Sequence, residues 1–193
     1  MRLVNTKAAI NTPTKVTYIR KALGDLSKEI SITLKVCRSI QYLHTMIYIY
    51  TDGAARGNPG PGGYGIVLKS GAHYKEISEG FKHTTNNRME LLAVIVGLEA
   101  IKVDGAQVTV VSDSKYVVDA VTKGWVFNWV KKNFKDKKNP DLWRRYLSIH
   151  AKHSITFQWI KGHNGHPDNE RCDELAVEAS HGSNLLEDHG YLE

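Results

Sequence analysis

Two apolar runs in this chain end in an aspartate, and the clearest helical pattern lies between them. Ile47-Tyr48-Ile49-Tyr50-Thr51 leads to Asp52, and Gln107-Val108-Thr109-Val110-Val111-Ser112 leads to Asp113. Both runs are β-branched and aromatic, as strands require. In the first, both alternating positions are apolar, which predicts a strand buried on both faces. A strand, a helix and another strand in sequence suggest a right-handed parallel crossover. Asp52 and Asp113 then fall at the same C-terminal edge of neighbouring strands, where open α/β sheets keep their sites. Strand-ending aspartates also serve as turn and capping residues, so the pair needs company to mean chemistry.

The stretch after Asp52 is dense in glycine and proline, from Gly53 through Gly57-Asn58-Pro59-Gly60-Pro61-Gly62-Gly63-Tyr64-Gly65. It reads as a loop of tight turns that leaves backbone amides bare. Strands are expected at 65–68 and 75–81, giving an antiparallel meander with the first. Thr84-Thr85-Asn86-Asn87 offers N-cap candidates, and a helix is expected over 88–102 with Leu91, Val94, Ile95, Leu98 and Ile101 inward. Glu90 falls at the edge of that stripe in the first turn, either complementing the helix dipole or held inward for a purpose. The fold class that follows is α/β, a meander followed by parallel strands.

Residues 114–123 read as a short helix. The next segment interleaves Trp125, Trp129 and Phe134 with Lys123, Lys131, Lys132, Lys135, Lys137 and Lys138. Lysines among aromatics suit backbone tracking and stacking on nucleic acid; a solvated helix with docked tryptophans is the plainer reading. A helix over 141–150, with Leu142, Tyr146 and Ile149 inward, and a strand over 155–160 follow. Lys161-Gly162-His163-Asn164-Gly165-His166 is then a glycine-hinged loop entering a last helix, with Cys172, Leu175, Ala176 and Ala179 inward and Asp173 beside them.

Asp52, Glu90, Asp113 and Asp173 form the outstanding constellation. Four grouped carboxylates repel and raise one another's pKa unless cations neutralise them. Oxygen-only ligation suits Mg²⁺ or Mn²⁺, and two such ions about 3.5–4 Å apart clamp the oxygens of an in-line phosphoryl displacement. His163, on its hinged loop, carries an imidazole suited to a proton shuttle. Taken singly, each acid is a cap or surface residue; the combination with the Lys/Trp segment argues otherwise.

Charge needs one correction before it is used. The net charge of +6 comes from 26 Lys/Arg against 20 Asp/Glu, but residues 1–45 hold eight of those bases and two of those acids. The remainder is balanced, so a nucleic-acid reading of the main domain rests on local clustering. Residues 1–45 read as a basic extension, either a poorly ordered leader or a misassigned start with Met46 as initiator, and 182–193 as a tail. No apolar run reaches the ~20 residues of a membrane helix, and Cys37 and Cys172 make neither a disulfide framework nor a zinc set. A cytoplasmic protein with no membrane association is expected.

Tyr50-Thr51-Asp52-Gly53, the Gly57–Gly65 run, Thr84-Thr85-Asn86-Asn87-Arg88-Met89-Glu90, Ser112-Asp113-Ser114, Lys161-Gly162-His163 and Arg171-Cys172-Asp173-Glu174-Leu175-Ala176 together resemble a bacterial-type ribonuclease H of type I. The resemblance covers about 46–180, and the catalytic domain is expected over 46–181. It implies a five-stranded mixed sheet flanked by helices. It also implies endonucleolytic cleavage of the RNA strand of an RNA–DNA hybrid, leaving 5′-phosphate and 3′-hydroxyl ends. Asp52, Glu90, Asp113 and Asp173 become the ligands of two Mg²⁺ or Mn²⁺ ions, His163 the proton shuttle, and Glu170 an acid aiding metal exchange or product release. Gly53, Asn58 and Asn87 become contacts to the RNA side, Thr85 and Asn86 to a DNA phosphate, and Trp125 and Trp129, with Lys131 and Lys132, to the DNA backbone. Lys115 departs from the glutamine many relatives carry there, and 1–45 lacks the aromatic-rich pattern of a hybrid-binding domain. A monomer without an obligate protein partner is expected. The competing readings are a non-catalytic hybrid-binding module and a DNA-directed polynucleotidyl transferase.

Overall fold

The computed structural model describes residues 26, 28–31 and 46–191. The chain divides into two units, Met1–Tyr42 and Leu43–Glu193. Residues 26 and 28–31 of the first are helical; the expectations for the rest of 1–45, and Cys37, lie outside the described residues.

The second unit runs β1 (Ile47–Ala55), β2 (Gly60–Ser70), β3 (His73–Thr84), α1 (Asn86–Glu99), β4 (Gln107–Ser112), α2 (Lys115–Thr122), α3 (Trp125–Lys131), α4 (Pro140–His150), β5 (Ser154–Trp159) and α5 (Pro167–Ser180). The five strands form one sheet in the order β3-β2-β1-β4-β5. β1, β2 and β3 pair antiparallel, while β4 lies parallel to both β1 and β5. The sheet is therefore the expected mixed one, a meander joined to a parallel pair by the α1 crossover.

One face of the sheet carries the main core. Ile49, Ile66, Val108 and Val110 meet Met89, Leu91 and Ile95 of α1 and the buried rings of Trp143 and Tyr146 from α4. α1 is buried nearly all round, from Arg88 through Ile95 and again at Gly97 and Leu98, because the sheet lies on one side and α4 on the other. The other face holds a smaller cluster, Val67, Cys172 and Leu175 with Tyr50, beneath α5.

Several expectations shift. β1 is not buried on both faces: Ile49 is sealed, whereas Tyr48 is 40% exposed, because the second face is only partly covered. The glycine-rich stretch is not all loop. From Gly60 it is strand β2, and Gly65 leaves room for α5, since a Cβ there would collide with the Cys172 carbonyl oxygen. The glycines thus bring a helix onto the sheet as well as turning the chain. β3 extends to both sides of the expected 75–81. α1 begins at Asn86, which puts Glu90 in the second turn instead of the first. The dipole reading of Glu90 falls with that, and its burial favours the inward one. Residues 182–191 fasten back onto the sheet: Phe81 and Leu186 pair, with Leu186 N–H donating to Gly80 O and Lys82 N–H to Leu186 O, both at 2.8 Å.

Candidate active site

Strand register builds the first half of the site. The last β1/β4 pair is Thr51 with Ser112. Asp52 and Asp113 are the next residues on each strand, so the parallel pairing ends by setting two carboxylates side by side. Glu90 joins them because Gly53 carries no side chain. A Cβ at Gly53 would overlap the backbone of Met89 and Glu90, so any larger residue would push α1 away. One oxygen from each of Asp52, Glu90 and Asp113 lies within 4.8 Å of the other two.

The second half comes from the β5–α5 connection. Asp173, in the second turn of α5, and His163 line the same cleft as the three carboxylates, together with Gly53, Ala54, Ala55 and Asn86. The cleft measures about 390 Å³ and is open to solvent on one side. His163 is exposed and sits at φ +50°, a left-handed conformation within the loop between β5 and α5. Glu170 stands off from the cleft lining and accepts the Gly165 N–H at 3.1 Å, tying down that loop.

Electrostatics make the cluster a candidate cation site. Burial, followed by the charge of Asp113, pushes the Asp52 carboxyl up to about 7, against the opposing hydrogen bond from Gly53 N–H at 2.8 Å. Burial and the charges of Asp52, Asp113 and Asp173 hold Glu90 well above the usual carboxylate range. Glu90 Oε2 is buried without a hydrogen-bond partner. An orphaned carboxylate oxygen facing two other acids is costly unless something positive completes it. The donor set is all oxygen, which suits Mg²⁺ or Mn²⁺ and not a thiolate-seeking metal. The one cysteine nearby, Cys172, is fully buried and its thiol is pushed up by burial.

The surface beside the cleft carries the remaining candidates. Asn58 Oδ1 accepts the Asn86 N–H at 3.1 Å, capping α1 where its N-cap residue Thr85 makes no side-chain bond. Asn87 is exposed. Trp125 and Trp129 share one face of α3 with ring centroids 6.5 Å apart. Their environments differ. Trp125 is 43% exposed beneath Lys123, whereas Trp129 packs edge-on against the buried Trp143. Lys131 and Lys132 are exposed at the end of the helix.

Three residues of this neighbourhood escaped the sequence reading. Asn169 is 4% exposed and directs Nδ2 to Asp113 Oδ2 at 3.4 Å. Trp159 donates Nε1–H to the Asp113 carbonyl at 2.9 Å, with Lys115 over its ring. Arg88 is buried two residues before Glu90. Asn169 could have been found from its i−4 spacing to Asp173; Trp159 and Arg88 depend on tertiary partners.

Comparison with known proteins agrees with this geometry. The RNase H family model matches residues 44–181. The chain is 55% identical over 152 residues to the ribonuclease H of Trichodesmium erythraeum (strain IMS101), covering 76% of this chain and 96% of that one. It is 53% identical over 150 residues to the ribonuclease H of Syntrophus aciditrophicus (strain SB), covering 75% and 86%. Among solved structures it resembles LC9-RNase H1, a type 1 RNase H with the type 2 active-site motif, with TM-score 0.66 and 30% identity over 77% of each chain. It also resembles LC11-RNase H1 in complex with RNA/DNA hybrid, with TM-score 0.54 and 31% identity over 70% of this chain and 96% of that one. On sequence and fold alike, this chain belongs to the ribonuclease H family.

Proposed function

We propose that this protein is an endonuclease that hydrolyses the RNA strand of RNA–DNA hybrids, leaving 5′-phosphate and 3′-hydroxyl ends. The observation that carries the proposal is the convergence of Asp52, Glu90 and Asp113 in one cleft with Asp173 and His163. Asp52, Glu90, Asp113 and Asp173 would hold two divalent cations with substrate, Mg²⁺ or Mn²⁺. Bound there, the cations supply charge neutralisation and an activated water for in-line displacement at phosphorus.

The remaining work belongs to the chain's own groups. His163 takes and returns the proton of the attacking and leaving oxygens from a loop that keeps it at the cleft mouth. Glu170 steadies that loop through Gly165 and assists product exit. Telling RNA from DNA requires contacts to the 2′-hydroxyl. The Gly53–Ala55 backbone that lines the cleft, the side chains of Asn87 and Glu90, and the amide nitrogen of Asn58 make them; the Asn58 oxygen is already engaged by Asn86. Thr85 and Asn86 hold a phosphate of the DNA strand, while Trp125, Trp129, Lys131 and Lys132 follow its backbone. Such contacts read backbone and groove, so cleavage is largely independent of sequence.

The test is Asp52→Asn. It should abolish cleavage of a labelled hybrid while hybrid affinity stays within a few-fold of wild type. Cleavage at the wild-type rate would show that Asp52 does not hold the catalytic cation.

A further inference from the structure

Arg88 is the most heavily engaged side chain outside the carboxylate cluster, and the reaction as described makes no use of it. Its guanidinium is 3% exposed and makes two forked ion pairs. Nε and Nη2 donate to Asp188 Oδ2 and Oδ1, both at 2.8 Å, and Nη1 and Nη2 donate to Asp141 Oδ1 and Oδ2 at 3.0 and 2.9 Å. Asp188, in the C-terminal segment, also accepts the Thr84 hydroxyl at 2.7 Å. Burial would raise its carboxyl, but the bonds from Arg88 and Thr84 outweigh that and hold it low. A buried bidentate pair of this kind fixes orientation as well as charge.

What matters is which segments the node joins. Arg88 follows Asn87 and precedes Glu90 by two residues, so it anchors the edge of the cleft assigned to the RNA strand. Asp141 opens α4, where the basic segment of Trp125 and Trp129 ends. Arg88 Nη1 also reaches Asn139 Oδ1 at 3.4 Å, and Asn139 donates to the Tyr116 hydroxyl at 3.1 Å, three residues beyond Asp113. The two nucleic-acid-facing edges therefore meet at one buried cation, and half of its counter-charge arrives from residue 188.

We propose that Arg88, Asp141 and Asp188 form a positioning node that sets the spacing between the Asn87–Glu90 edge and the α3–α4 basic segment, so that both strands of one hybrid are held together. The inference rests on the hybrid-cleaving reading above. It makes the C-terminal segment a working part of the binding surface even though it touches no substrate. A node that serves spacing has a signature that a merely stabilising one lacks. Disturbing it weakens a ligand that bridges both edges and leaves a ligand of one edge alone unaffected.

The experiment uses Asp188→Asn and Thr84→Val in the full chain, each in the Asp52→Asn background so that the nucleic acid stays intact. Binding is measured for a hybrid and for single-stranded RNA of the same sequence, which engages the RNA-facing edge alone, at a temperature where circular dichroism shows native protein. For Asp188→Asn, hybrid affinity should fall about 5–10-fold, and for the single-hydroxyl change Thr84→Val about 2–3-fold. In both, single-stranded RNA should bind within twofold of the parent, and the salt dependence of hybrid binding should be unchanged because no phosphate contact is lost. Restored to Asp52, the variants should show a raised KM for hybrid with kcat within about twofold. Equal losses for hybrid and single strand, or hybrid affinity unchanged in both variants, would overturn the node's role. If Asp188→Asn does not fold, Thr84→Val decides by the same criteria. A parent protein with no preference for hybrid over single-stranded RNA would instead sink the hybrid-cleaving reading itself.

Discussion

Replacing Asp52 by asparagine in metal-free protein should make the protein more stable, and the size of the gain should depend on pH. Asp52 is 8% exposed, and its carboxyl is raised from 3.8 to about 7 by burial and then by Asp113. A carboxyl whose folded pKa is raised favours folding only while the folded state keeps its proton. Below 3.8 both states are protonated and nothing is lost. Between 3.8 and about 7 the unfolded chain gives up the proton while the folded one holds it, so stability falls as pH rises. Above about 7 the whole cost is present. Three or so pH units at about 1.4 kcal/mol each sets roughly 4 kcal/mol as a ceiling on that cost. Asparagine removes the charge and keeps an oxygen that can accept the Gly53 N–H. It also lessens the penalty on Glu90. In EDTA, urea unfolding of Asp52→Asn should therefore show a gain of about 2–4 kcal/mol at pH 8 that shrinks towards zero near pH 4. Saturating Mg²⁺ should stabilise the wild type more than the variant and narrow the gap. A variant no more stable than wild type at pH 8 without metal would refute the electrostatic account of the cluster.

Other consequences are direct. Trp125→Ala should weaken hybrid binding, by about 1–3 kcal/mol if a base or sugar stacks on it, with little change in thermal stability. Trp129→Ala should lower both, since its ring packs on Trp143; binding isotherms and thermal melts separate the two. Gly65→Ala forces α5 off β2 and should cost about 1–3 kcal/mol or more, with loss of activity as Asp173 moves, read by denaturation and by hybrid cleavage. His163→Ala should lower the cleavage rate about 10²–10⁴-fold with hybrid affinity retained, and its pH–rate profile should lose the limb due to the imidazole.

Much of the site was legible because strand register and helix spacing are local. Asp52 and Asp113 announce themselves as the residues that follow two apolar runs, and the structure pairs their predecessors, Thr51 and Ser112, although β1 continues past Asp52 to Ala55. Asp173 was placed by the inward face of its helix. Glu90 was harder, since a carboxylate near a helix start has an ordinary use; only the packing of α1 against Gly53 shows why it points inward. The glycines of β2 misled in part, because a residue without a side chain signals a turn and a close helix contact equally well. The tryptophans were ambiguous for a related reason: one segment presents Trp125 outward and docks Trp129. Arg88 and the segment around Asp188 were illegible. Their partnership spans 100 residues, and neither shows a periodic pattern that would disclose it.

The central claim is best tested by offering the protein a labelled RNA–DNA hybrid alongside RNA–RNA and DNA–DNA duplexes of the same sequence, with and without Mg²⁺. The account predicts Mg²⁺-dependent cleavage of the RNA strand of the hybrid alone, with 5′-phosphate on the new ends. Tight hybrid binding without cleavage in either Mg²⁺ or Mn²⁺ would contradict it and leave a binding module, and cleavage of the DNA–DNA duplex would point to a different nuclease.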